Sequence, residues 1–166
     1  MKPNFSTMVS QNQGIIHKVC RLYRDTPEDR EDLFQDIVYH LWRSYPTFKG
    51  EARVSSWIYK IALSAAVLEF RSPKEKFRRQ HLPLTAIEAT AAFHDAPREE
   101  RISRLYSVIA TFDPLEKAVV TLYLEEYSYE EIAGIVGITR NHVGVKLNRI
   151  KSKLKDMLAL KEEDNG

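Results

Sequence analysis

The sequence predicts an all-α protein of two small helical domains joined by a flexible linker, and three observations carry that prediction. Apolar residues recur at steps of three and four along most of the chain, as one buried face of a helix requires. No run alternates apolar and polar residues as a half-buried strand would. Residues 72–97 hold three prolines and a basic run at Lys74, Lys76, Arg78 and Arg79 without any sustained period, so they read as a linker. The expected boundaries are a first domain over residues 10–72, a linker over 73–97 and a second domain over 98–160, each small enough to be marginal alone.

In the first domain, Ile15, Ile16, Val19, Leu22 and Tyr23 fit a helix that must end before Pro27. Thr26-Pro27-Glu28-Asp29 then starts the next one: Thr26 caps, Pro27 takes the first helical position, and the two acids complement the helix dipole. That helix runs through Leu33, Ile37, Val38, Leu41, Trp42 and Tyr45 and stops near Pro46. After a loop from Thr47 to Ser55, Ser55 or Ser56 can cap a third helix with Trp57, Ile58, Ile61, Ala62, Ala65 and Leu68 on its apolar side. In the second domain the helical spacing passes through Ile102, Leu105, Ile109, Phe112, Leu115, Val119, Leu122 and Tyr123, with a fresh start at Asp113-Pro114.

The stretch from Tyr129 to Lys155 reads as a helix-turn-helix. Ala133 is a small contact residue, Gly137 a turn glycine able to take positive φ, and Val143 a β-branched plug between the helices, with Ile132, Val136 and Ile138 around them. Thr139 is a fitting N-cap, and Val143, Leu147, Ile150 and Leu154 give the second helix one buried stripe. From Thr139 to Lys155 there are six basic side chains and no acidic one, whereas Glu125, Glu126, Glu130 and Glu131 cluster upstream. Such segregation suits a recognition helix that enters the major groove by its N-terminal residues, with later cations near phosphates. Thr139, Arg140, Asn141, His142, Val145, Lys146 and Arg149 are the candidates for contact with duplex DNA. A solvated basic face on an amphipathic helix would give the same charge pattern. Gly144, in mid-helix, fits a close approach by DNA phosphate or by the first helix of the motif, or equally a glycine that is simply tolerated there.

Composition narrows the alternatives. The net charge is only +2, so the distribution of charge, not its sum, argues for a polyanionic partner. A single cysteine, Cys20, excludes an internal disulfide and any multi-cysteine metal site, and it fits a small core position. The five histidines form no i to i+4 pair, and no Gly-rich phosphate loop or nucleophile elbow occurs, so neither catalysis, a cofactor nor a metal is expected. The longest apolar run, Ile61 to Leu68, is too short to span a bilayer and the N-terminus lacks an export signal, so membrane insertion is not expected and a cytoplasmic protein is.

The segment Glu31 to Arg71, with its E-D-L-x-Q-D block, its aromatic and glycine loop and its S-W-I-Y-K-I-A helix, resembles region two of bacterial RNA polymerase sigma factors. Phe112 to Leu158 resembles their region four, including L-x-x-x-S-Y-E-E-I-A-x-x-x-G-I from Leu124 to Ile138. Both halves in order, with only a short linker between them, resemble the extracytoplasmic-function (ECF) class of the sigma-70 family. The resemblance implies a sigma factor that binds core RNA polymerase through the β′ clamp and β flap. It implies recognition of the minus-thirty-five promoter element as duplex by the helix-turn-helix and of the minus-ten element as melted strand by region two. An anti-sigma factor is a further partner that it allows.

Melting and holding a strand calls for aromatic surfaces and phosphate-binding cations. Lys49, Arg53, Ser56, Trp57, Lys60, Ser64 and Arg71 are the candidates, with Phe48 and Tyr59 as further aromatics. By the resemblance, the loop from Lys49 to Ser56 accepts a flipped base. Read from the residues alone, Phe48 and Trp57 fit a core better than a stacking platform, and Lys60, Ser64 and Val67 form the exposed face that suits the strand. The face of Asp32, Gln35, Asp36 and Tyr39 reads as a solvated stripe by itself and, through the resemblance, as the polymerase-docking face. Trp42 fits either a core anchor or an interface hot spot.

Two departures from the family pattern matter. Ser64 and Leu68 stand where an Asn and an Asp are common, and Arg140 to Lys146 replaces the commoner G-T-V-K-S-R type, so no promoter sequence carries over. The alternatives are a free-standing helix-turn-helix regulator and a helical adaptor or decoy of polymerase or of an anti-sigma factor; the region-two resemblance weighs against the first and the basic recognition helix against the second.

Overall fold

The computed structural model describes residues 3–67 and 96–164, and the chain divides into two units, Met1–Phe93 and His94–Gly166. The described residues form eight α-helices and one 3-10 turn, and no strand.

The first unit begins earlier than expected. Helix α1 (Phe5–Gln11) buries Phe5, Met8 and Val9, which sit one helical turn apart within a stretch otherwise rich in Ser, Thr and Gln. Asn4 caps it by accepting from the Ser6 amide at 2.9 Å, and the Asn12 side chain donates to the Met8 carbonyl at 2.8 Å. The unit therefore holds a fourth helix that extends its core before residue 10. Helix α2 (Gln13–Tyr23) turns Ile16, Val19, Cys20 and Leu22 inward. Burial pushes the Cys20 thiol up to about 12, which leaves it an unreactive core side chain.

Helix α3 (Pro27–Ser44) starts as its sequence dictates, with Thr26 Oγ1 accepting from the Asp29 amide at 3.1 Å and Pro27 in the first turn. Pro46 does not terminate the chain direction abruptly; it sits in a 3-10 turn over Tyr45–Thr47 that continues from α3. Helix α4 (Val54–Val67) begins ahead of both expected serine caps, with the Arg53 carbonyl accepting from the Trp57 amide at 3.1 Å. It packs on both α2 and α3, and being buried on two sides it turns in Ile58, Tyr59, Ala62, Leu63, Ala65 and Ala66, where a one-sided stripe was expected. Ile61 and Trp57 are only half-buried, and Leu68 lies outside the described residues. The Arg24 guanidinium lies 3.4 Å from the Ala66 carbonyl and so engages the C-terminal turn of α4.

In the second unit, α5 (Ala96–Ile109) leads into α6 (Pro114–Leu124), whose cap is Asp113, accepting from the Glu116 amide at 2.8 Å. Helix α6 ends in a Schellman motif: the Tyr127 amide reaches the Leu122 carbonyl at 3.2 Å and the Glu126 amide the Tyr123 carbonyl at 3.0 Å. The residue forced left-handed there is Glu126, at φ 64°. Helix α7 (Tyr129–Val136) opens on a reciprocal capping box between Ser128 and Glu131 and closes on Gly137 at φ 81°, as its turn position requires. Helix α8 (Arg140–Asp164) follows, with Thr139 Oγ1 accepting from the His142 amide at 3.1 Å.

Helices α6, α7 and α8 pack against one another around Val119, Leu122, Ile132, Val143, Leu147 and Ile150. Ile135 is buried in α7, whereas Val136 and Ile138, expected around the turn, are half-buried; Leu105 and Tyr123, expected on an inner face, are exposed. A Cβ added at Gly144 would lie 3.7 Å from Tyr129 Cε2, so α7 does approach this glycine but leaves ordinary contact distance. Two substitutions should therefore raise the thermal stability of the second unit by up to about 1 kcal/mol each in chemical or thermal melts: Glu126→Gly, which relieves the left-handed conformation, and Gly144→Ala, which restores helix propensity.

Candidate nucleic-acid interfaces

Helix α8 is the centre of the first candidate interface. Its stripe of Val143, Leu147 and Ile150 is buried against α6 and α7. The opposite side is therefore the one it presents outward. Asn141, Val145, Asn148 and Ser152 follow each other at steps of four, three and four along that side and are all exposed, Val145 by 49%. Arg140, His142 and Arg149 are exposed beside them. Asn148 was missed in the sequence, although its place three residues after Val145 on the outward face could have shown it.

The basic side chains do not act as one set. Lys146, expected among the DNA contacts, is only 15% exposed and its Nζ lies 3.8 Å from the Asp113 carboxylate. Lys153 Nζ makes two contacts with the Glu116 carboxylate, at 2.8 and 2.9 Å, and Glu116 is itself only 5% exposed. Both lysines sit one residue before a stripe position, Leu147 or Leu154, on the flank that meets the start of α6. Lys151 Nζ lies 4.9 Å from the Tyr123 ring centroid, a cation–π distance. Arg140 approaches Glu130 at 3.8 Å with both side chains largely exposed, so solvent screens that pair.

The first unit offers a second face. Phe48 is buried and its ring centroid lies 4.7 Å from that of Trp57, tilted by 34°. Trp57 is half-buried, with Ser56 beside it, while Lys49 and Arg53 are exposed on the loop, which turns at Gly50 with φ 77°. Along α4, Lys60, Ser64 and Val67 are exposed together, and the Ser64 hydroxyl donates to the Lys60 carbonyl at 2.7 Å. Tyr59 corrects the expectation of a third aromatic surface: it is fully buried, because α4 packs on two neighbours and not one. Arg71 lies outside the described residues.

On α3, Asp32 is exposed and Gln35 and Asp36 are half-buried, but Tyr39 is 6% exposed and belongs to the core, a correction to the expected docking face. Trp42 is 46% exposed, with its ring set edge-on to Phe5 at 5.1 Å. The Phe5 contact, provided by the unexpected α1, holds a large aromatic at the surface of the unit.

Residues 8–75 match the family model for sigma-70 region 2 and residues 102–154 that for sigma-70 region 4. The chain belongs to the sigma-70 family, as an ECF RNA polymerase sigma factor. It is 25% identical over 162 residues to the ECF sigma factor SigM of Mycobacterium tuberculosis, covering 93% of this chain and 76% of that one. With the ECF sigma-E factor of Haemophilus influenzae it shares 24% over 172 residues, 95% of this chain and 90% of the other. Its fold matches that of the sigma factor RpoE from Bartonella quintana, solved in complex with the anti-sigma factor NepR, at a TM-score of 0.68 and 15% identity over 93% of this chain and 96% of that one.

In this sigma factor Asp113 has two duties, capping α6 and facing Lys146. Burial pushes its carboxyl up, but the amides of Glu116 and Leu115 and the charges of Lys146 and Lys153 outweigh that and hold it below its ordinary 3.8. A carboxyl whose value falls on folding adds stability that is complete above its unfolded value and is lost as pH drops through the folded one. Asp113→Asn keeps a capping oxygen and removes the charge, so in denaturant melts its stability should change less than that of the wild type between about pH 5 and about pH 3.

Proposed function

We propose that this sigma factor directs core RNA polymerase to promoters by reading the minus-thirty-five element as duplex with α8 and holding the minus-ten element as melted strand with the loop and outer face of α4. The observation that carries this is the outward line of Asn141, Val145 and Asn148 on α8, flanked by Arg140, His142 and Arg149, on the helix that follows α7 directly through the turn at Gly137. An exposed Asn can bridge the two adenine edge atoms in the major groove, an exposed Val can meet a thymine methyl, and an Arg can pair with guanine or with phosphate. Thr139 is occupied as the helix cap and acts by fixing where α8 enters the groove.

For the opened strand, Trp57 offers a ring backed by Phe48, with Lys49, Arg53 and Lys60 as cations around it and Ser56 and Ser64 as small polar neighbours. Base-on-ring stacking and backbone contacts together offset the few kcal/mol of unstacking that strand opening costs. No catalytic residue is needed, since binding energy does the opening.

The face of Asp32, Gln35 and Asp36 with the exposed Trp42 suits a basic, partly apolar partner surface, and we assign it to the β′ clamp of polymerase, with Tyr39 supporting it from beneath. The β flap is the counterpart for the second unit. An anti-sigma factor is a further partner, supported by the similarly folded RpoE, which was solved with the anti-sigma factor NepR. None of the described helices is long and apolar enough to cross a membrane, and a polymerase partner places the work in the cytoplasm.

Reconstitution with core polymerase tests this: promoter-specific transcripts are expected, and duplex binding by the chain alone with no initiation on any genomic fragment would instead support a free-standing regulator. In the holoenzyme, Asn141→Ala should cost about 1–3 kcal/mol at one base pair of the upstream element, and Trp57→Ala about 1–3 kcal/mol in binding of the melted strand. Trp42→Ala should weaken core-polymerase binding and leave α8 contacts unchanged.

A further inference from the structure

We propose that Asp113 and Glu116, at the start of α6, are positioning residues that withdraw Lys146 and Lys153 from DNA phosphate, so that the sigma factor binds duplex with fewer phosphate contacts than its basic helix carries charges. The inference rests on α8 being the duplex-reading helix. Lys146 lies on the flank of the buried stripe, 15% exposed, 3.8 Å from the Asp113 carboxylate. Lys153, two turns later on the same flank, has a half-exposed side chain, but its Nζ is bound through both oxygens of the nearly buried Glu116 and lies 5.6 Å from the Phe112 ring centroid. The two acids stand at the cap and third position of one helix and meet two lysines seven residues apart along α8.

The functional consequence follows from counterion release. Every phosphate neutralised by a lysine steepens the dependence of log affinity on log salt by about 0.9 and strengthens binding to any sequence alike. Tying two cations to the protein's own carboxylates removes that sequence-independent share and leaves Asn141, Val145 and Asn148 a larger part in discrimination. Each ion pair also braces α8 against the start of α6.

The test is fluorescence anisotropy of the full-length chain with a duplex of mixed sequence over a salt series. Asp113→Asn, which preserves the cap, should steepen the salt slope by about one and tighten low-salt binding, because Lys146 is released to phosphate. In a Lys146→Ala background the same change should have no effect on the slope. Glu116→Gln, with and without Lys153→Ala, repeats the measurement on the second pair should the first variant be poorly folded. Tighter binding is a readout that loss of a merely structural contact would not give. A slope that stays level or becomes shallower in both variants overturns the inference, as does a steepening that persists when the lysine is gone. If the wild-type chain binds no duplex at any salt, the assignment of α8 falls and this inference with it; wild-type binding with unmoved slopes overturns this inference alone.

Discussion

Burial of Val143, Leu147 and Ile150 against α6 and α7 is the constraint on which the second unit depends. Once that stripe is fixed, the period of the helix assigns every other side chain of α8 a direction. Residues near 180° from the stripe, Asn141, Val145, Asn148 and Ser152, are left for a ligand, and residues on its flank meet whatever the neighbouring helix supplies. What α6 supplies at its start is carboxylate, from Asp113 and Glu116, so two lysines pair with the protein's own acids. The same packing explains why the turn before α8 needs Gly137: only a left-handed residue there lets α7 stop and α8 cross it at once.

The first unit solves a different problem. Its α4 is covered by both α2 and α3, and a helix buried on two sides cannot show a simple amphipathic stripe. Ala62, Ala65 and Ala66 allow close approach, Tyr59 fills the interior, and what remains outside is the narrow row of Lys60, Ser64 and Val67. In the same unit, α1 supplies Phe5 as a support for Trp42. An aromatic held in this way keeps its area exposed without the entropy loss of ordering it on contact, which is what a preorganised interface requires.

Charge is distributed in keeping with these two tasks. A chain with a net charge of only +2 has little general attraction for nucleic acid, so local groups of like charge matter more than the sum. Acids lie on the outer part of α3 and at the starts of α6 and α7, where they also serve as caps and dipole partners; bases lie on the loop, the outer row of α4 and α8.

Helix positions and caps were legible in the sequence wherever the deciding interaction is local. Thr26-Pro27, Asp113-Pro114, Thr139 and Gly137 act within one turn of themselves, so residue type at a given spacing was sufficient. The helix-turn-helix and its buried stripe were legible for the same reason, as was the exposed row on α4. What only the tertiary structure decided were matters that depend on a neighbour distant in sequence. Phe5, Met8 and Val9 became core because α2 and its neighbours cover them; Tyr59 and Tyr39 were taken inside although their own helices could equally have exposed them; Lys146 and Lys153 were claimed by carboxylates some thirty residues away. Helical period states which residues share a face, but which face is buried and which is left exposed is set by packing, because the free energy of burial belongs to the assembled helices and not to any one of them.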